Sequence, residues 1–131
     1  MAITIGILLF DDVEELDFAG PWEVFSATTQ HLFPDDRVVT IAQESRPIRC
    51  AKGLRVLPDV DFATAPPLDV VLVPGGQGTR REVSNPTLIG WLREVGQRCQ
   101  WVTSVCTGAL LLHEAGFAKG RRVTTHWAFV E

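Results

Sequence analysis

Apolar residues fall along this chain in short unbroken runs. ITIGILLF (Ile3–Phe10), RVVTIAQ (Arg37–Gln43), DVVLV (Asp69–Val73) and WVTSV (Trp101–Val105) are stretches rich in β-branched residues. That is the pattern of strands buried on both faces. Between the strands the period changes. Pro21 suits the first position of a helix, and WEVFSATTQHLF after it places Val24, Phe25 and Ala27 or Thr28 on one side. Asn85–Pro86 opens a second helix running to Arg98, with Leu88, Ile89, Leu92 and Val95 at helical spacing. Thr107–Ala115 reads as a third, stopped by Gly116. Pro47–Pro58 reads as a β excursion turning at Gly53, Asp61–Ala65 as one helical turn ended by Pro66–Pro67, and Val123–Thr125 as a last β-like piece.

Strands and helices alternate, and the strands themselves do not alternate in polarity. Together these features predict an α/β fold: an open, mostly parallel sheet with helices on both faces. The chain has 131 residues and shows no repeat, linker or low-complexity stretch, so residues 1–131 read as a single domain. Hydrophobic residues make up 46 % and charged residues 21 %, which supports a packed core without disulfides.

Charge changes the picture by exclusion. The formal net charge is −4, and the basic residues occur as scattered pairs such as Arg80–Arg81 and Arg121–Arg122. No basic stripe marks a nucleic-acid surface. Ala2–Phe10 is apolar but too short to cross a bilayer, and it lacks the basic region and cleavage site of a signal peptide. A cytoplasmic protein with no membrane partner is expected, with Cys50, Cys99 and Cys106 reduced. There is no CxxC pair and no Cys/His spacing suited to zinc.

In an open parallel sheet, the loops at the carboxyl ends of the strands share one edge, where ligands bind. Three such loops carry chemistry here. Cys106 stands where a strand meets the helix predicted from Thr107. It reads as a small buried hydrophobe, or as a nucleophile whose thiolate a helix N-terminus favours. Pro74–Gly75–Gly76–Gln77–Gly78 is neither GxGxxG, since Arg81 fills the last position, nor a phosphate loop ending in GK[ST]. It reads as a tight turn, or as a set of backbone N–H groups facing an oxyanion. In the acidic loop, Asp11, Asp12, Glu14 and Glu15 read as solvated charges. Asp17, between Leu16 and Phe18 and just ahead of Gly20–Pro21, reads as a helix cap or as a partly buried carboxyl that stays protonated. His31 and His113 read as exposed, and His126 as a structural hydrogen-bonding residue.

These motifs carry a resemblance. IGILLF, Leu16–Asp17–Phe18–Ala19–Gly20–Pro21, Val73–Pro74–Gly75–Gly76, Ser104–Val105–Cys106–Thr107–Gly108 and Thr124–Thr125–His126–Trp127 follow one another as in the ThiJ/PfpI superfamily, whose members have a class I glutamine-amidotransferase-like, flavodoxin-type fold. Within it, the LD-x-x-GP loop with TSVCTG and TTHW is most similar to the isonitrile (isocyanide) hydratases. The resemblance implies a nucleophile elbow at Cys106, Asp17 as general acid/base, and Thr107 orienting the substrate or assisting protonation. It implies backbone N–H groups near Gly75, Gly76 and Thr107 steadying negative charge, and His126 in support. It also implies a small-molecule substrate, no cofactor, and a homodimer. Peptidase-like members place a histidine directly after the cysteine; Thr107 stands there instead, which argues against proteolysis. Two alternatives accompany this reading: the amino-terminal sensing domain of an AraC-like transcription regulator, and a glyoxalase- or oxidative-stress-type protein. Relatives continue past the TTHW segment with further strands and a helix, so this chain is expected to be a fragment lacking the C-terminal part.

Overall fold

The computed structural model describes residues 2–129; Val130 and Glu131, which end the stretch read above as stopping short, lie outside them. The elements run β1 (Thr4–Leu8), α1 (Glu15–His31), β2 (Arg37–Ala42), β3 (Ile48–Arg49), β4 (Arg55–Val56), β5 (Val60–Asp61), β6 (Val70–Val73), α2 (Thr79–Glu82), α3 (Pro86–Arg98), β7 (Trp101–Ser104) and α4 (Gly108–Glu114), with a 3₁₀ turn at Trp127–Phe129. Five strands form one sheet in the order β5-β2-β1-β6-β7, all parallel. β3 and β4 form a separate antiparallel hairpin that turns at Gly53, whose φ is +99°.

The continuous apolar runs are central strands, as their pattern predicts. Ile7, Leu8 and Leu9 of the β1 region, Ile41 of β2, and Val71 and Val73 of β6 are fully buried, and Leu88, Leu92 and Leu111 of the covering helices pack into the same core. Each such side chain contributes about 1.5–3 kcal/mol on leaving water. α3 begins as its sequence predicts. Asn85 accepts from the backbone N–H of Thr87 (3.1 Å) and Leu88 (3.4 Å), and Pro86 follows where no N–H is needed.

Three expectations are corrected, and one element is new. α1 starts at Glu15, six residues before Pro21, which lies inside the helix. Glu15 and Asp17 in the first turn favour that start, because the helix N-terminus attracts negative charge. Pro21 has no N–H to return to the carbonyl of Asp17, and the helix continues past the missing bond. Asp61 belongs to β5, paired with Ala42; its carboxylate then binds the N–H and hydroxyl of Thr64 (both 2.9 Å), closing a turn instead of a helix. Val123–Thr125 forms no strand; Thr125 instead donates its hydroxyl to the carbonyl of Cys106 (3.0 Å). Finally, α2 has no counterpart in the sequence reading, since four residues are too few to show a period.

Candidate active site

The loops after β1, β6 and β7 meet at one sheet edge because these three strands are parallel neighbours. Register fixes the meeting: Ile7 pairs with Leu72, and Leu72 with Thr103. The loops then lock together through their backbones. Glu14 N–H donates to the carbonyl of Gly75 (2.9 Å), and Gly78 N–H to that of Asp12 (3.1 Å).

Cys106 occupies the turn between β7 and α4 with φ +54°, a left-handed conformation that a residue with a Cβ seldom adopts. Such a corner lifts the side chain off both elements. Behind it, α4 approaches β6 so closely that a Cβ on Gly108 would collide with the carbonyl oxygen of Val73 and lie 2.8 Å from that of Pro74. Gly108→Ala is therefore expected to destabilise the protein by roughly 2–4 kcal/mol. A thermal melt reads this directly; an unchanged midpoint would show that the corner is not tightly packed.

Asp17, in the first turn of α1, is half-buried, and its carboxyl and the Cys106 thiol act on each other's ionisation. Its Oδ2 also accepts from Gly75 N–H (3.1 Å). Burial raises the Asp17 carboxyl above its ordinary range; the Gly75 N–H and Cys106 oppose this, Glu14 adds to it, and His126 lowers it. The sequence expectation of a raised carboxyl agrees with this direction. For Cys106 the expected direction is reversed. Burial is the largest influence and raises the thiol, the Thr107 N–H opposes, and the Asp17 charge raises it further. α4 begins only at Gly108 and is seven residues long, so its positive end does not overcome burial and a facing carboxylate.

Thr107 is buried. Its Oγ1 accepts from Gly76 N–H (3.0 Å), and its N–H and hydroxyl act to lower the neighbouring Cys106 thiol. The structure therefore gives two of these backbone N–H groups definite partners: Gly75 holds Asp17, and Gly76 holds Thr107. Gly76 has φ +121°, and a Cβ there would lie 2.5 Å from the Glu14 nitrogen, so the turn requires glycine. His126 is half-buried, its Nδ1 accepts from Ala128 N–H (3.1 Å), and its charge is felt at Asp17. His31 and His113 are exposed. Cys50 and Cys99 are pushed up to about 11, chiefly by burial, and are poor nucleophiles.

Sequence reasoning missed several participants. The acidic residues read as solvated have partners: Asp11 pairs with Arg46 (2.8 Å), Asp12 with Arg81 (3.2 Å) and Glu14 with Lys52. The Glu15 carboxylate accepts from Lys52 N–H at the tip of the β3–β4 hairpin, 2.9 Å at its shorter contact. Arg80 donates to the Gly76 carbonyl (3.3 Å) and lies 4.6 Å from the ring centre of Phe129. Thr79 is fully buried beside Thr107. Pro74–Gly78 read as a tight turn, but nothing local hinted at these pairings.

Comparisons with known proteins bear on the family and the fold. Isonitrile hydratase from Pseudomonas putida is 38 % identical over 129 residues, covering 98 % of this chain and 54 % of that protein, so the chain spans about half of its length. The HTH-type transcriptional regulator GbdR of Pseudomonas aeruginosa is 29 % identical over 128 residues, covering 95 % of this chain and 34 % of the regulator. A crystal structure of a ThiJ/PfpI family protein from Pseudomonas syringae superposes with a TM-score of 0.90 at 29 % identity, covering 98 % of this chain and 52 % of that one. The sequence model of the DJ-1/PfpI family matches residues 3–131, and the chain belongs to that family.

Proposed function

We propose that this chain is the cysteine-bearing part of an isonitrile hydratase-type lyase, which adds water to an isocyanide to give an N-substituted formamide. The observation that carries the reading is the Asp17 carboxyl, held by Gly75 N–H (3.1 Å), at the same sheet edge as the left-handed Cys106 corner. Asp17 takes the thiol proton as the Cys106 sulfur attacks the terminal carbon of the isocyanide. It then delivers that proton to the same carbon, giving a thioimidate. Thr107 steadies the sulfur through its N–H and hydroxyl. Water adds to the thioimidate carbon, with Asp17 taking its proton and passing it to nitrogen. The tetrahedral species collapses, expels the sulfur, and leaves the formamide. The sulfur regains its proton and the carboxylate is restored. No cofactor enters these steps.

The test is formamide production from a simple alkyl isocyanide by the intact protein; absence of product with folded protein would remove the reading. Its pH profile is expected to be bell-shaped. The acid limb, from Asp17 protonation, lies above the ordinary carboxylate range, and the alkaline limb, from Cys106, lies above the ordinary thiol range. A limb in the ordinary carboxylate range would disagree with a buried Asp17.

The match to GbdR favours one rival, an amino-terminal sensing domain of an AraC-like regulator. A helix-turn-helix segment after Glu131, with no turnover, would select it. Methylglyoxal turnover would select a glyoxalase-type activity instead. Under the hydratase reading the protein is a cytoplasmic homodimer. Exposed Leu16 and Val24 of α1 and Leu54 of the hairpin support the dimer, and light scattering of the intact protein measures it.

A further inference from the structure

Among the described residues, the carbonyl of Cys106 has no close backbone partner. In a regular helix it would accept from the N–H four residues on. That donor, Leu110 N–H, goes to the Thr107 carbonyl instead (3.0 Å), because α4 begins only at Gly108. Ala109 N–H reaches the Cys106 oxygen at 3.5 Å, longer than a good bond. The short bond comes from far along the chain: the Thr125 hydroxyl donates to that oxygen at 3.0 Å. A carbonyl only accepts, so the direction of this bond is fixed. Both residues are half-buried, which shields the bond from water in part.

Thr125 is itself held in place. Its segment turns at Trp127–Phe129, where Phe129 N–H donates to the His126 carbonyl (2.8 Å) and Ala128 N–H to His126 Nδ1 (3.1 Å). Arg80 lies 4.6 Å from the centre of the Phe129 ring and donates to the Gly76 carbonyl (3.3 Å). The segment therefore runs from the Cys106 corner to the glycine turn, and those two loops are already joined by Gly76 N–H and the Thr107 hydroxyl (3.0 Å).

Cys106 is the peptide that needs such a hold. Its φ of +54° is costly for a residue with a Cβ, and such strain persists only where the surroundings over-determine it. Close packing of Gly108 on the Val73 carbonyl fixes the helix side of the corner. We propose that Thr125 is a positioning residue for Cys106: its hydroxyl holds the Cys106 carbonyl, so that the left-handed corner keeps the sulfur presented at the sheet edge. Without that bond the peptide relaxes toward a right-handed φ, and the side chain turns back toward the elements it joins. Only the identity of Cys106 as the reactive thiol rests on the hydratase reading, and no substrate is assumed.

The experiment is iodoacetamide alkylation of Cys106 in the intact protein, resolved from Cys50 and Cys99 by peptide mass. The plateau rate of a pH series is compared, so that thiol ionisation drops out. Thr125→Val removes the hydroxyl at nearly constant shape and is expected to lower the plateau by about 3–10-fold, the scale of one hydrogen bond. Thr125→Ser keeps the donor and is expected to stay within about twofold of wild type. The sign separates positioning from loosening, because unfolding exposes thiols and speeds alkylation at Cys50 and Cys99 as well. If the valine variant shows that pattern, Thr125→Ala carries the same expectation; if neither folds, Thr125 is a structural residue and the proposal falls. A Cys106 plateau that is unchanged or raised in a folded variant, or lowered equally by serine, also overturns it. Alkylation needs no isocyanide, so failure of the hydratase reading leaves this measurement intact.

Discussion

Cys106→Ala is expected to lower isocyanide hydration by the intact protein by at least about 10⁴-fold, the scale of losing a covalent nucleophile. Neither remaining thiol is placed to substitute. Cys50 is sealed in the core, and Cys50 and Cys99 are both pushed up to about 11. Cys106→Ser is expected to fall nearly as far, because a neutral hydroxyl is a far weaker nucleophile and Asp17 is too weak a base to ionise it. Folding should tolerate both changes, since alanine and serine inherit the same left-handed φ and add no atom to the packing. Formamide production followed by chromatography reads the loss, and a thioimidate mass adduct on the wild-type cysteine peptide reads the intermediate. Turnover surviving in a folded Cys106→Ala protein would remove nucleophilic catalysis altogether.

Asp17→Asn is expected to lower turnover by about 10²–10⁴-fold, the usual range for a general acid/base. The amide neither takes the thiol proton nor supplies one to the isocyanide carbon. Stability is expected to move the other way. Folding raises the Asp17 carboxyl, chiefly through burial. Such a group stabilises the fold fully only below its unfolded value, and that contribution is lost as pH rises through the folded value. At neutral pH the buried carboxylate is therefore a cost, and asparagine removes it while its Oδ1 still accepts from Gly75 N–H. The variant should melt above wild type at neutral pH, with the gap closing as pH falls below the ordinary carboxylate range. A variant that is both less active and less stable at neutral pH would mark Asp17 as a structural anchor instead.

Asp17 also shows how far local reading reaches. Its neighbours Leu16 and Phe18 suggested an apolar setting on both sides. On a helix, consecutive residues point about 100° apart, so Phe18 enters the core while Leu16 is 74 % exposed. The partial burial expected of Asp17 comes from loops that reach it from elsewhere: the Gly75 turn and the Cys106 corner. The helix start was misplaced for a related reason. Proline suits the first turn in general, but here the acidic pair ahead of it outweighed that preference, with the hairpin tip bound to Glu15. The expectation of a lowered thiol weighed only the following helix and left out burial, the largest influence, and the facing carboxyl.

By itself the sequence determined the parallel sheet, the places of its long strands, and the delivery of a carboxyl, a glycine turn and a thiol to one edge. Those features follow from apolar runs and turn residues, which act on their own chain neighbourhood. Tertiary structure alone decided that Asp17 meets Cys106, that Gly75 and Gly76 spend their N–H groups on Asp17 and Thr107, and that Thr79 stands behind Thr107. Each hydrogen bond here joins segments that follow different strands. Its length is set by the register of β1, β6 and β7 and by how closely α4 presses on β6, and no single segment encodes those distances.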